Sequence, residues 1–169
     1  MIPTNEYASF YEPYIKVLLE NEKSIIENLA LTQEEFMSIL ENLPLEKQSY
    51  AYAEGKWTIK ELILHFIDTE RIFCYRALSF ARNDTTSLPG FDQDLFIANC
   101  NAHQRNYPDL LEEMSTLRKS TIQLFKSFSK EALLRIGKAS GNEMSVRAIG
   151  FIISGHQQHH LKIIKERYL

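Results

Sequence analysis

Residues that break helices are scarce in this sequence of 169 residues, which contains six glycines and five prolines. That scarcity disfavours a turn-rich β fold and favours long helices. Cysteine is also rare, since Cys74 and Cys100 are the only two and they form no Cys-x-x-Cys motif. The first residues lack the basic region and apolar core of a signal peptide. We therefore expect reduced thiols in the cytoplasm rather than a disulfide framework.

Long apolar runs and strong net charge are missing as well. No stretch of 18 apolar residues occurs, so we expect no membrane-spanning segment and no membrane partner. The formal net charge of −3 gives no indication of a nucleic-acid partner. The length is typical of one domain with its own core, which we predict over residues 1–169.

Helical periodicity dominates what remains. The first segment carries apolar residues at spacings of three and four, which predicts one helix: Ile15, Leu18, Leu19, Ile25, Ile26 and Leu29. A short second helix is predicted to begin at Thr32, where the residue order is that of a capping box, and to stop at Pro44.

Three further helices are predicted by their start signals. Thr58 and Glu61 have capping-box spacing, and the helix that follows should run to about Arg82. Another helix should begin near Pro108, and Ser145 should cap the last one. Polar segments at 83–90 and 137–142 are predicted as loops, and strand-type alternation is nearly absent. The pattern predicts an all-α protein, a four-helix bundle with short additional helices.

The residues with the clearest functional meaning are three histidines. His156 and His160 are four positions apart, so on a helix they share one face and can bind one metal ion. His65 interrupts an apolar helical stretch. If the helices that begin at Thr58 and Ser145 pack side by side, all three rings can reach one point. Three imidazoles leave a coordination position open, which is typical of a catalytic metal site.

Other interpretations of the histidines remain open at this point. His65 can be a core residue satisfied by a hydrogen bond, and the other two can lie on the surface of a helix end. The spacing of His156 and His160 also occurs in zincin peptidases, but those carry glutamate where this sequence has Gln157. A zincin peptidase is therefore disfavoured. We expect His103 and His159 to face solvent.

Three charged residues on the helix of His65 are candidates for supporting roles. Asp68 can orient a metal-bound imidazole, or pair with Arg71 or Arg147 instead. Arg76 and Arg82 are candidate contacts for an anionic substrate. The segment 88–94, which mixes apolar and acidic residues, can line a pocket mouth, although a helix cap explains its polarity equally well.

Three stretches of this chain, in this order, resemble the DinB-like superfamily. They are the run from Trp57 to Arg71, the run from Leu88 to Asp92, and the run from Gly155 to His160. The superfamily includes bacillithiol transferases that were once grouped with metal-dependent hydrolases. The resemblance extends over most of the chain, from about residue 56 to residue 169.

The resemblance implies a four-helix bundle whose connectivity is not simply up-down-up-down. It also implies a divalent zinc or nickel ion held by His65, His156 and His160, a low-molecular-weight thiol as co-substrate, and a homodimer. On this basis we expect a metal-dependent enzyme that transfers a small thiol to an electrophile. The alternatives are a metal-dependent hydrolase of unknown substrate and a non-catalytic, stress-related metal-binding protein.

Overall fold

The computed structural model describes residues 2–169, so Met1 of the predicted domain lies outside the described residues. Across them the chain is mostly helical, with eight α-helices and one hairpin. The helices are α1 (Glu12–Leu19), α2 (Ile25–Leu40), α3 (Leu45–Gln48), α4 (Ile59–Ala81), α5 (Gln93–Ala98), α6 (Tyr107–Lys126), α7 (Lys130–Leu134) and α8 (Val146–Arg167). Strands β1 (Ile136–Ala139) and β2 (Asn142–Ser145) form the hairpin, and short 3₁₀ turns cover Thr4–Glu6, Ser9–Tyr11 and Ala102–Gln104.

Four long helices form the bundle, as predicted. Helix α2 packs against α6 and α8, and α4 packs against the same two helices. The consecutive helices α2 and α4 therefore lie on opposite sides of the bundle. An up-down-up-down bundle would make consecutive helices neighbours, so the connectivity differs from that simple order. Helix α1 lies outside this square and packs along α8.

Two predicted helix starts are confirmed by their hydrogen bonds. The Thr58 side chain accepts from the backbone N–H of Glu61, while the Glu61 carboxylate accepts from the backbone N–H of Thr58. Ser145 accepts from the N–H of Ala148 at the start of α8. Both caps satisfy N–H groups that the first turn of a helix leaves without partners.

The predicted first helix is wrong in its extent, because the chain breaks between residues 19 and 25. Glu22 has a left-handed backbone with φ of 55°, and a capping box of Ser24 and Glu27 then starts α2. Thr32, predicted as a helix start, lies inside α2, where its hydroxyl donates to the carbonyl of Asn28 at 2.8 Å. Ser24 offers the same capping chemistry earlier in the chain, so the helix is already formed when it reaches Thr32.

The predicted loop at 137–142 is instead the turn and strands of the hairpin. Ser140 and Gly141, the two turn residues, both have positive φ, 53° and 79°, as a two-residue type I′ turn requires. Ile136 pairs with Ser145 and Ala139 pairs with Asn142. An isolated bridge joins Leu88 to Ala139, so the hairpin also fixes the segment after α4.

Among residues 2–169, no helix combines the length and the apolar character needed to span a bilayer.

Candidate metal centre

His65, His156 and His160 lie together between α4 and α8. The Nε2 atom of His156 is 3.1 Å from Nε2 of His65 and 3.1 Å from Nε2 of His160. One ring nitrogen from each histidine lies within 4.8 Å of the others. The structure thus brings together the three residues that the sequence nominated as metal ligands.

Helix geometry explains the convergence. His156 and His160 are one turn apart on α8, and their ring centroids are 4.6 Å apart. His65 extends from α4, which packs directly against α8. Its ring centroid is 4.9 Å from that of His156 and 5.3 Å from that of His160.

The donor set fits a divalent cation better than it fits a hydrogen-bonded cluster. A neutral imidazole nitrogen carries either one hydrogen or one lone pair in the ring plane. Nε2 of His156 therefore cannot bond to both His65 and His160, although both are 3.1 Å away. Three lone pairs directed at one cation resolve this conflict. Tetrahedral coordination with bonds of about 2.0–2.1 Å puts ligand nitrogens roughly 3.3 Å apart, close to the observed separations.

Burial keeps these imidazoles neutral, which is the form that binds metals. It lowers the pKa of His65 to about 4. Burial, together with the nearby rings of His65 and His159, lowers the pKa of His160 to about 3. The pKa of His156 is also well below its ordinary value, mainly through burial and then through repulsion from His160 and His65. Protons therefore compete little with a metal at neutral pH.

Aromatic side chains and one hydroxyl surround the histidines. The ring of Trp57 is 4.8 Å from that of His65, and Phe66 and Tyr14 lie 5.7 Å from His156. The hydroxyl oxygen of Thr69 is 3.4 Å from Nδ1 of His65, on the ring edge opposite the cluster. This shell limits how far the imidazoles can turn.

The two larger cavities that adjoin the cluster lie on different sides of it. One, of about 260 Å³, is lined by His65 and His156. Its other lining residues are mostly aromatic or polar: Phe10, Tyr11, Tyr14, Thr69, Phe73, Arg76, Phe91, Gln93, Ser140 and Ile152. The other cavity, of about 220 Å³, is lined by His160 together with Trp57, Tyr52 and Asp94. We call them the arginine cavity and the tryptophan cavity.

Asp68 and Arg76 lie in different surroundings. Oδ1 of Asp68 is 3.9 Å from Nη1 of Arg71, and the polar group beside Nδ1 of His65 is Thr69. A role for Asp68 in orienting an imidazole stays a prediction. Arg147, its other suggested partner, pairs with Glu6. Arg76 lines the arginine cavity beside two of the histidines.

The two remaining histidines lie where the sequence suggested. His103 and His159 are exposed. Cys74 packs with its sulfur 3.2 Å from the Thr121 hydroxyl, and burial raises the pKa of its thiol to about 11. Asp92 caps α5, while Phe91 beside it lines the arginine cavity. Both suggestions for the segment 88–94 therefore hold.

Several residues near the histidines were missed from sequence. Tyr11, Tyr14 and Ser140 come from the N-terminal segment and the hairpin, far from the histidines along the chain. One local signal was present, since Gly155 directly precedes His156. A Cβ atom at Gly155 would lie 2.1 Å from the backbone oxygen of Tyr14, so glycine permits the close approach of α1 there.

A buried ion pair holds the bundle together near the cluster. Arg118 on α6 donates from Nε and Nη2 to the carboxylate of Glu70 on α4, at 2.9 and 2.8 Å. Its Nη1 donates to the carbonyl of Leu29 on α2 at 2.8 Å. One guanidinium thus joins three of the four bundle helices.

Comparison with known proteins agrees with this architecture. The chain is similar in structure to YfiT from Bacillus subtilis, described as a probable metal-dependent hydrolase with an unusual four-helix bundle topology. The TM-score is 0.77 at 13% sequence identity, and the likeness covers 98% of this chain and 90% of YfiT. At that identity the likeness shows the fold alone. No curated protein matches the chain in sequence.

The match to a family is more direct, because it rests on the sequence itself. Residues 28–164 match the model of the DinB superfamily. This range includes α4 and α6 in full, α2 and α8 except their outer turns, and the three clustered histidines. The chain belongs to the DinB superfamily.

Proposed function

We propose that this protein is a metal-dependent enzyme that transfers a low-molecular-weight thiol to an electrophilic substrate. The observation that carries the proposal is the cluster of three neutral imidazoles beside a cavity without an acid. His65, His156 and His160 would hold the ion, zinc or nickel. Held there, it would lower the pKa of a thiol so that the sulfur is available as a thiolate at neutral pH.

Neither of the two cysteines, both of which the structure describes, lines a cavity beside the histidines. The thiol of Cys74 is kept protonated by burial, which raises its pKa to about 11, and it contacts Thr121 rather than the cluster. Among the described residues, no cysteine lines the arginine cavity. A nucleophile brought by the substrate fits this arrangement.

Two acids on the helix of His65 lie beside arginines. Glu70 is paired with Arg118 and Asp68 lies toward Arg71. Within residues 2–169, no aspartate or glutamate lines the arginine cavity. Activation of water by a general base needs such a group within hydrogen-bond reach, whereas thiol transfer does not.

The chemical change is a substitution or an addition at carbon. A carbon–sulfur bond forms in both cases. In a substitution the electrophile loses a leaving group such as halide and the thiol proton passes to solvent. In an addition the double bond breaks, and its electron pair takes up a proton from solvent that replaces the one lost by the thiol. The aromatic walls of the two cavities would exclude water around the sulfur. Thr69 would hold the ring of His65 in one orientation.

A hydrolase is the second candidate, and one residue favours it. Asp94 lines the tryptophan cavity together with His160, and it is the one acid of that cavity in the described chain. It could take a proton from water there. YfiT, which shares this fold, is described as a probable metal-dependent hydrolase, and that description agrees with this candidate.

A transfer assay tests the proposal. The zinc- and nickel-loaded proteins are incubated with small thiols and 1-chloro-2,4-dinitrobenzene, beside His156→Ala and the metal-free protein. Thioether formation above the spontaneous rate, lost in both controls, is the expected result. Absence of any acceleration across thiols and electrophiles would contradict it. Ester or amide hydrolysis that depends on His156 and fails in Asp94→Asn would instead establish the second candidate.

The homodimer, which the family resemblance implies, and the cytoplasmic location, which the two cysteines and the absent signal peptide predict, both stay predictions. Light scattering of the purified protein tests the first, and fractionation of cells tests the second.

A further inference from the structure

Arg76 carries a buried positive charge that no acid of the described residues neutralises. Its side chain is 2% exposed, yet among residues 2–169 no carboxylate forms an ion pair with it. The other deeply buried guanidinium, that of Arg118, is matched by Glu70. Burying an unpaired charge is costly. A partner that is not part of this chain would remove that cost.

The groups that do contact Arg76 are neutral. Its Nη2 donates to the carbonyl oxygen of Pro89 and to the hydroxyl of Ser140, both at 3.0 Å. The rings of Phe73 and Phe91 lie 5.4 and 5.9 Å from its central carbon. These contacts fix the guanidinium in position without cancelling its charge.

The hydroxyl of Tyr11 is also near Arg76, and it too is neutral. Burial raises the pKa of Tyr11 above its ordinary value, so the phenol keeps its proton at neutral pH. The cavity therefore has a positive end when no ligand is bound.

The same cavity leads to the histidines. Arg76 follows His65 by eleven residues on α4, three turns and roughly 16 Å along the axis, so both project from nearly the same face. Both residues line the arginine cavity, of about 260 Å³.

We propose that the arginine cavity binds a small molecule through a carboxylate at Arg76, with the rest of the molecule extending toward His65 and His156. This proposal rests on the proposed function only in taking the far end of the ligand to be the thiol. The volume, below the roughly 300–1,000 Å³ of sites for drug-sized ligands, suits a small metabolite.

Charge balance selects a carboxylate rather than a phosphate. Arg76 is the single lysine or arginine among the residues that line the cavity. One guanidinium matches one unit of negative charge and offers the fork geometry that carboxylates accept. A phosphate monoester would bring close to two negative charges into the same apolar surroundings.

The test compares acids with neutral amides of the same length. Calorimetry measures binding of ω-mercapto carboxylic acids from 3-mercaptopropionate to 8-mercaptooctanoate to the zinc-loaded protein, each beside its primary amide. We expect one or more acids to bind at least about tenfold tighter than the amide. Equal affinity of acid and amide at every length would overturn the proposal. This comparison uses the wild-type protein alone, so it does not depend on the folding of any variant.

Two variants test whether the tighter binding of acids depends on Arg76. Arg76→Gln should remove the preference for acids, whereas Arg82→Gln, an exposed arginine at the end of the same helix, should keep it. A preference that persists in Arg76→Gln would place the carboxylate elsewhere and contradict the proposal.

Cobalt substitution separates this proposal from the proposed function. A preference for acids through Arg76 with no thiolate-to-cobalt absorption band would support the carboxylate site and contradict thiol binding at the metal. A band that is equal for acids and amides, with equal affinities, would support thiol binding and overturn the carboxylate site.

Discussion

Gly155 touches the backbone of Tyr14, because a Cβ atom added at Gly155 would lie only 2.1 Å from the carbonyl oxygen of Tyr14. Helix α1 can therefore lie against α8 at this point and bring the Tyr14 ring to within 5.7 Å of the His156 ring. The contact is between main-chain atoms, which cannot move away as a flexible side chain can. The position of Tyr14 beside the candidate site thus depends on the absence of a Cβ atom at Gly155.

Gly155→Ala should consequently destabilise the protein. Alanine favours helix over glycine by up to about 1 kcal/mol, but the clash should outweigh this and leave a net loss of about 1–3 kcal/mol. Urea unfolding measures the difference. Ser154→Ala is a matched control on the preceding residue, since it removes only a long 3.5 Å hydrogen bond. A Gly155→Ala protein as stable as Ser154→Ala would contradict the packing described.

Acid should destabilise the metal-free protein. The pKa values of His65 and His160 are lowered to about 4 and about 3 in the folded state, against about 6.5 in the unfolded chain. Below pH 6.5 the unfolded state therefore binds more protons, and stability falls as the pH falls. Each histidine adds a slope of about 1.4 kcal/mol per pH unit, down to its folded pKa.

Urea unfolding in the presence of a chelator, from pH 7.5 to pH 4.5, checks this prediction. Above pH 6.5 these histidines should cause no change in the free energy of unfolding with pH. Below pH 6.5 the free energy of unfolding should decline. His65→Ala should reduce the slope, whereas His103→Asn, at an exposed site, should not. A slope unchanged by His65→Ala would show that this imidazole is not held neutral by folding.

The fold was predictable from sequence where the signals are local. The capping residues Thr58 and Ser145 act within one turn, so the starts of α4 and α8 could be predicted from them. The position of each histidine along its helix follows from these starts. The spacing of His156 and His160 is likewise a property of one helix. These elements were sufficient to nominate the cluster, once α4 and α8 were assumed to be neighbours.

The parts that were missed depend on tertiary contacts. The hairpin is held by Gly137, where a Cβ atom would lie 2.0 Å from the ring of Phe80, and by the bridge from Leu88 to Ala139. The lack of an acidic partner for Arg76 could not be predicted either. That fact depends on which side chains the hairpin and the segment after α4 bring to it.

Breaking the buried ion pair of Glu70 and Arg118 should strongly destabilise the protein. Glu70→Gln leaves the guanidinium buried and unpaired, which should cost about 3–5 kcal/mol of unfolding free energy. Glu113→Gln is the control, because Glu113 also bridges α4 and α6 through Arg71 at 2.7 Å, but there Arg71 is exposed and Glu113 is only half-buried. Its cost should be about 1 kcal/mol or less.

Urea unfolding measures the stability of both variants and of the double variant Glu70→Met with Arg118→Met. The double variant should recover part of the loss, because no unpaired charge remains. Equal costs for Glu70→Gln and Glu113→Gln would mean that burial adds nothing to this ion pair.

Trp57 should report metal binding. It is the one tryptophan of the chain, and its ring centroid is 4.8 Å from that of His65. Nickel or cobalt at the three histidines should quench its fluorescence strongly, and zinc should quench it far less. Titration of the metal-free protein measures this, with His65→Ala as the variant that should lose the response. Equal quenching in wild type and His65→Ala would mean that the metal binds elsewhere.

The most direct test of the account is the metal content of untagged protein beside single alanine variants of His65, His156 and His160. Elemental analysis should find about one zinc or nickel per chain in the wild type, and each variant should lose it while its circular dichroism stays helical. His159→Ala, adjacent to His160 but exposed, should keep the metal. Stoichiometric metal retained in all three variants, or no binding by the wild type after reconstitution, would contradict the three-histidine centre.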